Sequence, residues 1–256
     1  MIEKDRDVKR TNGKPCGIVC RVVTLIALAT PHGRIVVSKD VVVDDIPALP
    51  FRWYRKSAEE GDPRGAYFTA KYHSLGRGGA KKSAAQAVRW WRWGAEMGDP
   101  PCMHQLSGCL YDGLGTAPNT SEAEKWMREG AGRQDVRAMY SLGWRLYHGR
   151  RVISDPKAAV GWWRKASLSH QTGHDLAIYG LGRAHSDGRG VPRDPSGALN
   201  FFRIAARLGN EHAMYRLGCA FRDGEGVERD PQRALVWYRR VEARQADSSV
   251  DPSKGP

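Results

Sequence analysis

Residues 213–240 read AMYRLGCAFRDGEGVERDPQRALVWYRR, and this stretch decides the fold. Ala213 and Leu217 stand four apart, on one face of a helix, and Gly218 follows directly. Gly224, Glu225 and Gly226 then supply the positive-φ residues that end a helix and turn the chain. Asp230 and Pro231 open a second helix, the carboxylate accepting from an orphan backbone N–H and the proline filling the first helical position. That second helix carries Ala234 and the ring pair Trp237 and Tyr238. The stretch is a helix-turn-helix unit.

Moving outward, the ring pair recurs. Trp53 and Tyr54, Trp90 and Trp91, Trp126 and Met127, Trp162 and Trp163, Phe201 and Phe202, and Trp237 and Tyr238 fall in one column with spacings of 37, 36, 36, 39 and 36 residues. Chance does not place six such pairs, and the longest spacing fits an insertion near His170 and Asp175, between helices. Three residues earlier stand Ala87, Ala123, Ala159, Ala198 and Ala234, and five residues later Ala58, Ala95, Ala131 and Ala206. Small residues at this spacing let helices approach closely. Asp155 and Asp194 repeat the capping aspartate, each followed by proline, while Ser83 with Gln86 and Ser121 with Glu124 fit the capping box.

The first helix of each unit repeats as well, with Ala66, Cys102, Ala138, Ala177 and Ala213, then Ala70, Leu106, Leu142, Leu181 and Leu217. Gly143, Gly182 and Gly218 come next, where Lys71 and Ser107 stand in the earlier units. A glycine inside a helix costs about 1 kcal/mol relative to alanine, so its recurrence points to close contact between the paired helices. The Gly-x-Gly turns follow a helix rather than a strand and lack a third glycine, which excludes a dinucleotide-binding fingerprint.

In sum these residues resemble the Sel-one-like repeat (SLR) family of the tetratricopeptide-like superfamily. The resemblance implies an all-α, right-handed α/α superhelical solenoid over residues 46–245. Its units are a leading half-repeat at 47–61 and five repeats at about 65–98, 101–134, 137–170, 176–209 and 212–244. Two turns depart from the pattern, Gly149, Arg150 and Arg151 in the third unit and Arg77, Gly78 and Gly79 in the first. His185 takes the aromatic position that Phe221 fills in the last unit. Secreted relatives place a disulfide in each repeat, and this chain lacks paired cysteines for that.

Composition bounds the function. The 256 residues are 41% hydrophobic, and nine Trp and nine Tyr against five Phe favour rings with a polar tip, suited to half-wet surfaces. The formal charge is +13, and residues 51–245 carry 32 Lys or Arg against 20 Asp or Glu, so the repeat body itself is basic. That favours acidic partners and speeds their encounter without specifying them. Cys102, Cys109 and Cys219 sit at small or aromatic helical positions and read as structural thiols, while Cys16 and Cys20 stay open.

The first 45 residues do not match the rest. An apolar run at 22–29 follows Arg21 and ends in Ala27, Leu28 and Ala29, the form of an export-signal cleavage site, while residues 34–43 read as a β-branched strand. A signal peptide, a capping element, an unstructured leader and a misassigned start all fit. The cytoplasm is favoured, with export by cleavage near Ala29 as the alternative. No run reaches the roughly 18 apolar residues of a spanning helix, so no transmembrane anchor is expected. Residues 246–256 read as a flexible tail.

Stacked helix pairs of this family line an extended surface with their first helices, and such surfaces bind proteins. The resemblance places three columns there. The first is Phe68, His104, Tyr140, Tyr179 and Tyr215; the second is Tyr72, Gly108, Trp144, Arg183 and Cys219; the third is Leu75, Tyr111, Tyr147, Ser186 and Arg222. Tyr140, Trp144 and Tyr147 would form an aromatic cluster flanked by Arg183 and Arg222, the residue types enriched at binding hot spots. The reading is a non-enzymatic interaction scaffold for a protein or peptide partner, without cofactor or metal. The alternative is nucleic-acid or polyanion binding, which would need Lys and Arg in one stripe along the groove. His170 and His174 fall in the inserted loop, and the acids Asp223, Glu225, Glu228 and Asp230 miss calcium-loop spacing.

Overall fold

The computed structural model describes residues 51–249, save 170 and 172. The N-terminal run and strand, Cys16, Cys20 and His170 lie outside the described residues. Within them the chain forms eleven helices and no strand. A leading helix, α1 (Phe51–Glu59), precedes five pairs: α2 (Pro63–Leu75) with α3 (Ala84–Glu96), α4 (Pro100–Asp112) with α5 (Thr120–Gly132), and α6 (Val136–His148) with α7 (Pro156–Ser167). The last pairs are α8 (His174–Asp187) with α9 (Pro195–Arg207), and α10 (Glu211–Asp223) with α11 (Pro231–Ser249).

Each helix packs on the next, most closely within a pair. The first helices α2, α4, α6 and α8 also touch in succession, whereas the second helices make little contact of that kind. The first helices therefore crowd together along one side of the right-handed solenoid.

The caps form where the acids predict. Asp155, Asp194 and Asp230 accept backbone N–H bonds from Ala158, Gly197 and Arg233 at 2.9, 2.8 and 3.0 Å. Ser83 accepts from Gln86. Ser121 does not cap α5; Asn119 does, accepting from Glu122 at 3.1 Å, because asparagine caps as well as serine and stands two residues earlier. The final helix also runs on to Ser249, past the expected boundary at Ala246.

The columns of small residues are buried, Ala66, Cys102, Ala138, Ala177 and Ala213 all to 0% exposure. The recurring glycines have a plain cause. A Cβ at Gly143 would lie 2.5 Å from the Trp163 indole, one at Gly182 2.6 Å from the Phe202 ring, and one at Gly218 2.5 Å from the Tyr238 ring. In the last three pairs the second ring therefore lies on the first helix where a side chain is missing. In the second unit Ser107 replaces the glycine, and flexible Met127 replaces the ring, its Sδ accepting from the Ser107 hydroxyl at 3.7 Å.

The turns hold the stack from the rim. A Cβ at Gly190 would collide with the Pro156 carbonyl at the start of the preceding second helix, so only glycine fits. At the equivalent place in the third unit, Arg151 takes a φ of 63°, a left-handed conformation that costs a side-chain-bearing residue free energy.

Two predictions follow from this packing. Gly143→Ala lowers stability by about 1–3 kcal/mol by overpacking against Trp163, while Gly161→Ala, exposed in α7 with open space around it, raises it by about 0.5–1 kcal/mol. Urea unfolding midpoints of the two variants must move in opposite directions. Arg151→Gly raises stability by about 0.5–1 kcal/mol, since the ion pair it forfeits, to Asp112 at 3.5 Å, joins two half-exposed groups and contributes little. A lower midpoint would mean that the arginine itself holds the turn.

Candidate functional site

The three expected columns divide by depth. In the first, the rings face the paired or preceding second helix: Phe68 stacks on Tyr54 at 4.5 Å, Tyr140 on Trp163 at 6.4 Å, Tyr179 meets Phe202 at 5.9 Å and Tyr215 meets Tyr238 at 5.6 Å. Burial pushes the Tyr140 hydroxyl up to about 12. Only Tyr215, at 53% exposure, opens broadly to solvent. His104 instead bridges neighbouring first helices, its Nε2 3.0 Å from the Ser141 hydroxyl.

In the second column Tyr72, Trp144 and Arg183 are half-buried and reach the surface. Trp144 packs on His148 at 4.7 Å between ring centroids, and Arg150 lies 5.7 Å from its indole.

The third column corrects the sequence reading. Tyr111 and Tyr147 are 0% exposed, so they are core rings and not surface. The family resemblance placed them on the face, where Leu75 and Arg222, which share their register, are indeed exposed. Trp163 packs on Tyr147 from within its own unit at 5.2 Å, and arginines from the following repeat lie over both tyrosines. The Arg145 guanidinium sits 3.5 Å over the Tyr111 ring; Arg189 and Arg183 sit 4.7 and 5.6 Å from the Tyr147 ring. The Tyr147 hydroxyl donates to Asp187 at 2.8 Å, and Arg189 donates to the Tyr147 carbonyl at 2.9 Å. Burial and then that bond to Asp187 hold the Tyr147 phenol well above its ordinary range.

The expected cluster of Tyr140, Trp144 and Tyr147 thus loses Tyr147 to the core, while Tyr140 and Trp144 are both half-buried. Around Trp144 stand residues that sequence reasoning passed over, namely Arg145, His148, Arg150 and Arg189. A signal for two of them was present: Arg150 falls in the turn that breaks the Gly-x-Gly pattern, and Arg189 fills the middle of the next turn. The field here is positive. Burial, then Arg183 and Arg189, hold the His148 imidazole below its ordinary value, and burial together with Arg151 and Arg150 pulls Arg145 down.

Elsewhere, Trp162, Lys165, Leu168 and Met139 line a cleft of 480 Å³ at the α5–α6 turn, away from the three columns. Cys102 and Cys109 are free and buried, and Cys219 is free and half-buried. Burial pushes the Cys109 thiol up to about 11 and Cys102 higher still, which suits structural thiols.

A row of paired helices, with core rings beneath and polar or half-buried side chains above, defines an α/α repeat solenoid. A sequence profile of the Sel1 repeat matches residues 51–62, 63–99, 100–135, 136–169, 175–210 and 211–240, and the chain belongs to the Sel1 repeat family. Proteins of this family in general serve as scaffolds for protein–protein interaction, and the repeat fold is in general non-catalytic. Among solved structures, a Sel1 repeat protein from Oxalobacter formigenes is similar over 77% of this chain and 84% of its own, at TM-score 0.65 and 23% identity. The c5321 protective antigen of uropathogenic Escherichia coli, which displays the SLR fold, is similar over 75% of this chain at TM-score 0.64 and 26% identity; this chain spans 40% of its length. Immunity protein PA5088 from Pseudomonas aeruginosa is similar over 90% of this chain and 82% of its own, at TM-score 0.56 and 16% identity. No curated protein matches the chain.

The bridge between α4 and α6 sets a pH dependence. Burial lowers the proton affinity of His104, reinforced by Arg137 and Arg145 and opposed by Asp135. A base that is harder to protonate when folded leaves the unfolded chain to take up the proton first. Stability is therefore full above the ordinary 6.5 and declines as pH falls below it, levelling off below the folded value. His148, lowered in the same direction, adds to the decline. Urea midpoints measured from neutral to mildly acid pH should drop for the wild type and drop less for His104→Gln. Parallel curves would remove His104 from this role.

Proposed function

We propose that this protein is a non-enzymatic scaffold or adaptor that holds a protein or peptide partner on the inner face formed by its first helices. One observation carries the reading: at Trp144 an aromatic side chain reaches the surface on the side where first helices crowd together, with cationic groups around it. Half-buried tryptophan and arginine are the side chains that dominate binding energy at protein interfaces. Tyr179, Arg183, Tyr215 and Arg222 extend this face along the later repeats. Phe68, Tyr72 and His104 extend it toward the earlier ones with Tyr140 beside Trp144, while Tyr111 and Tyr147 support it from beneath.

The distribution of charge weighs against a nucleic-acid track. Exposed cations stand on the second helices too, as at Arg89, Lys125, Lys157, Arg203 and Arg239, and on the rim of the first helices the arginines are interrupted by Asp112, Asp187 and Asp223. A continuous polyphosphate would meet a carboxylate in three of the five repeats.

Photo-crosslinking tests the face. A benzophenone side chain at position 144 or 215 should trap a discrete partner in an extract of the source cells, and one at position 164 on the outer side of α7 should not. Equal trapping from 164 would move the interface to the second helices. Because Tyr147 is core, variants at that position would report unfolding and are left out of the comparison.

A further inference from the structure

We propose that the middle of the inner face is a seat for carboxylates, so that the partner presents an acidic segment carrying an apolar side chain for Trp144. This rests on the inner-face reading above and names the chemistry of its ligand. Five guanidiniums gather within two repeats. Arg145, Arg150 and Arg151 come from α6 and its turn, and Arg183 and Arg189 from α8 and its turn; Trp144 and His148 join the two groups. Two carboxylates answer them, Asp112 at 3.5 Å from Arg151 and Asp187 at 3.7 Å from Arg183. Among the described residues Arg145, Arg150 and Arg189 have no carboxylate at ion-pair distance. Asp187 is further committed, since it accepts the Tyr147 hydroxyl.

The cluster is built into the structure and is not a loose surface charge. Arg145 lies flat on Tyr111, Arg189 is tied to the Tyr147 carbonyl, and Arg183 donates to His148 at 3.3 Å, so three of the five are held in place before any ligand arrives. Its charge is also incompletely answered, since among the described residues Asp112 and Asp187 are the two carboxylates at ion-pair distance from these five guanidiniums. Cations that outnumber the carboxylates beside them favour a ligand that brings acceptors and negative charge together, which a carboxylate does. The cluster spans two repeats with Asp112 and Asp187 at its edges, a length that fits a short acidic stretch and not a uniform polyanion.

Labelled peptides of Glu and Asp with one central Leu, binding to the full chain by fluorescence anisotropy, test the proposal. The acidic peptide should bind, weaken as salt rises, and weaken about tenfold or more in Arg150→Glu, with Lys165→Glu at the α5–α6 cleft unchanged. Without any substitution, the peptide should also raise the pKa of His148 followed by NMR, because an anion beside it favours the imidazolium. Equal loss in both charge variants, a matched single-stranded oligonucleotide binding at least as tightly, or an unmoved His148 would each overturn it. The two readings separate cleanly: if crosslinking from position 144 still traps a partner while the acidic peptide fails to bind, the face stands and the carboxylate preference falls.

Discussion

The stack depends on aromatic rings laid where a helix lacks a side chain. Trp163 is the fullest case: it lies against Gly143 of its own pair and Gly180 of the next, and donates its indole N–H to the Tyr140 carbonyl at 3.2 Å. One buried ring thus sets the spacing of three helices, α6, α7 and α8. A cavity there would cost about 3–5 kcal/mol, and a methyl group on either glycine would force the helices apart. Phe202 and Tyr238 repeat the contact at Gly182 and Gly218. Propensity alone disfavours glycine in a helix, so closeness of approach is what keeps it there.

A second layer rests on the first. With paired helices held close, the tyrosines at the ends of α4 and α6 are drawn inward, and arginines from the following repeat close over them. The result joins structure to chemistry, because the guanidiniums that seal the core are the ones that make the inner face positive around Trp144. Core packing and surface charge draw on the same side chains. The second helices, on the other side, carry exposed cations too.

Much of this was legible in the residues. The ring pairs, the alanine columns and the aspartate caps located every described helix pair, since each signal has a local cause: a face at helical spacing, an orphan N–H, a positive φ. The cap of α5 was misplaced by two residues because Ser121 and Asn119 both satisfy the local chemistry. The contact face was less legible. Tyr140, Trp144 and Tyr147 look alike in the sequence, three aromatics in little more than two turns, yet Trp144 reaches the surface while Tyr147 is fully enclosed.

By itself the sequence determined the repeat, its period, its turns and the family to which the chain belongs, because a helix pair is specified by neighbours a few positions apart. Only the tertiary structure decided which side chains form the face. Arg145, Arg183 and Arg189 lie over Tyr111 and Tyr147, and each of these arginines stands about one repeat along the chain from the ring it covers. Exposure depends also on what packs on a residue from the next unit, and no periodicity within one unit records that part.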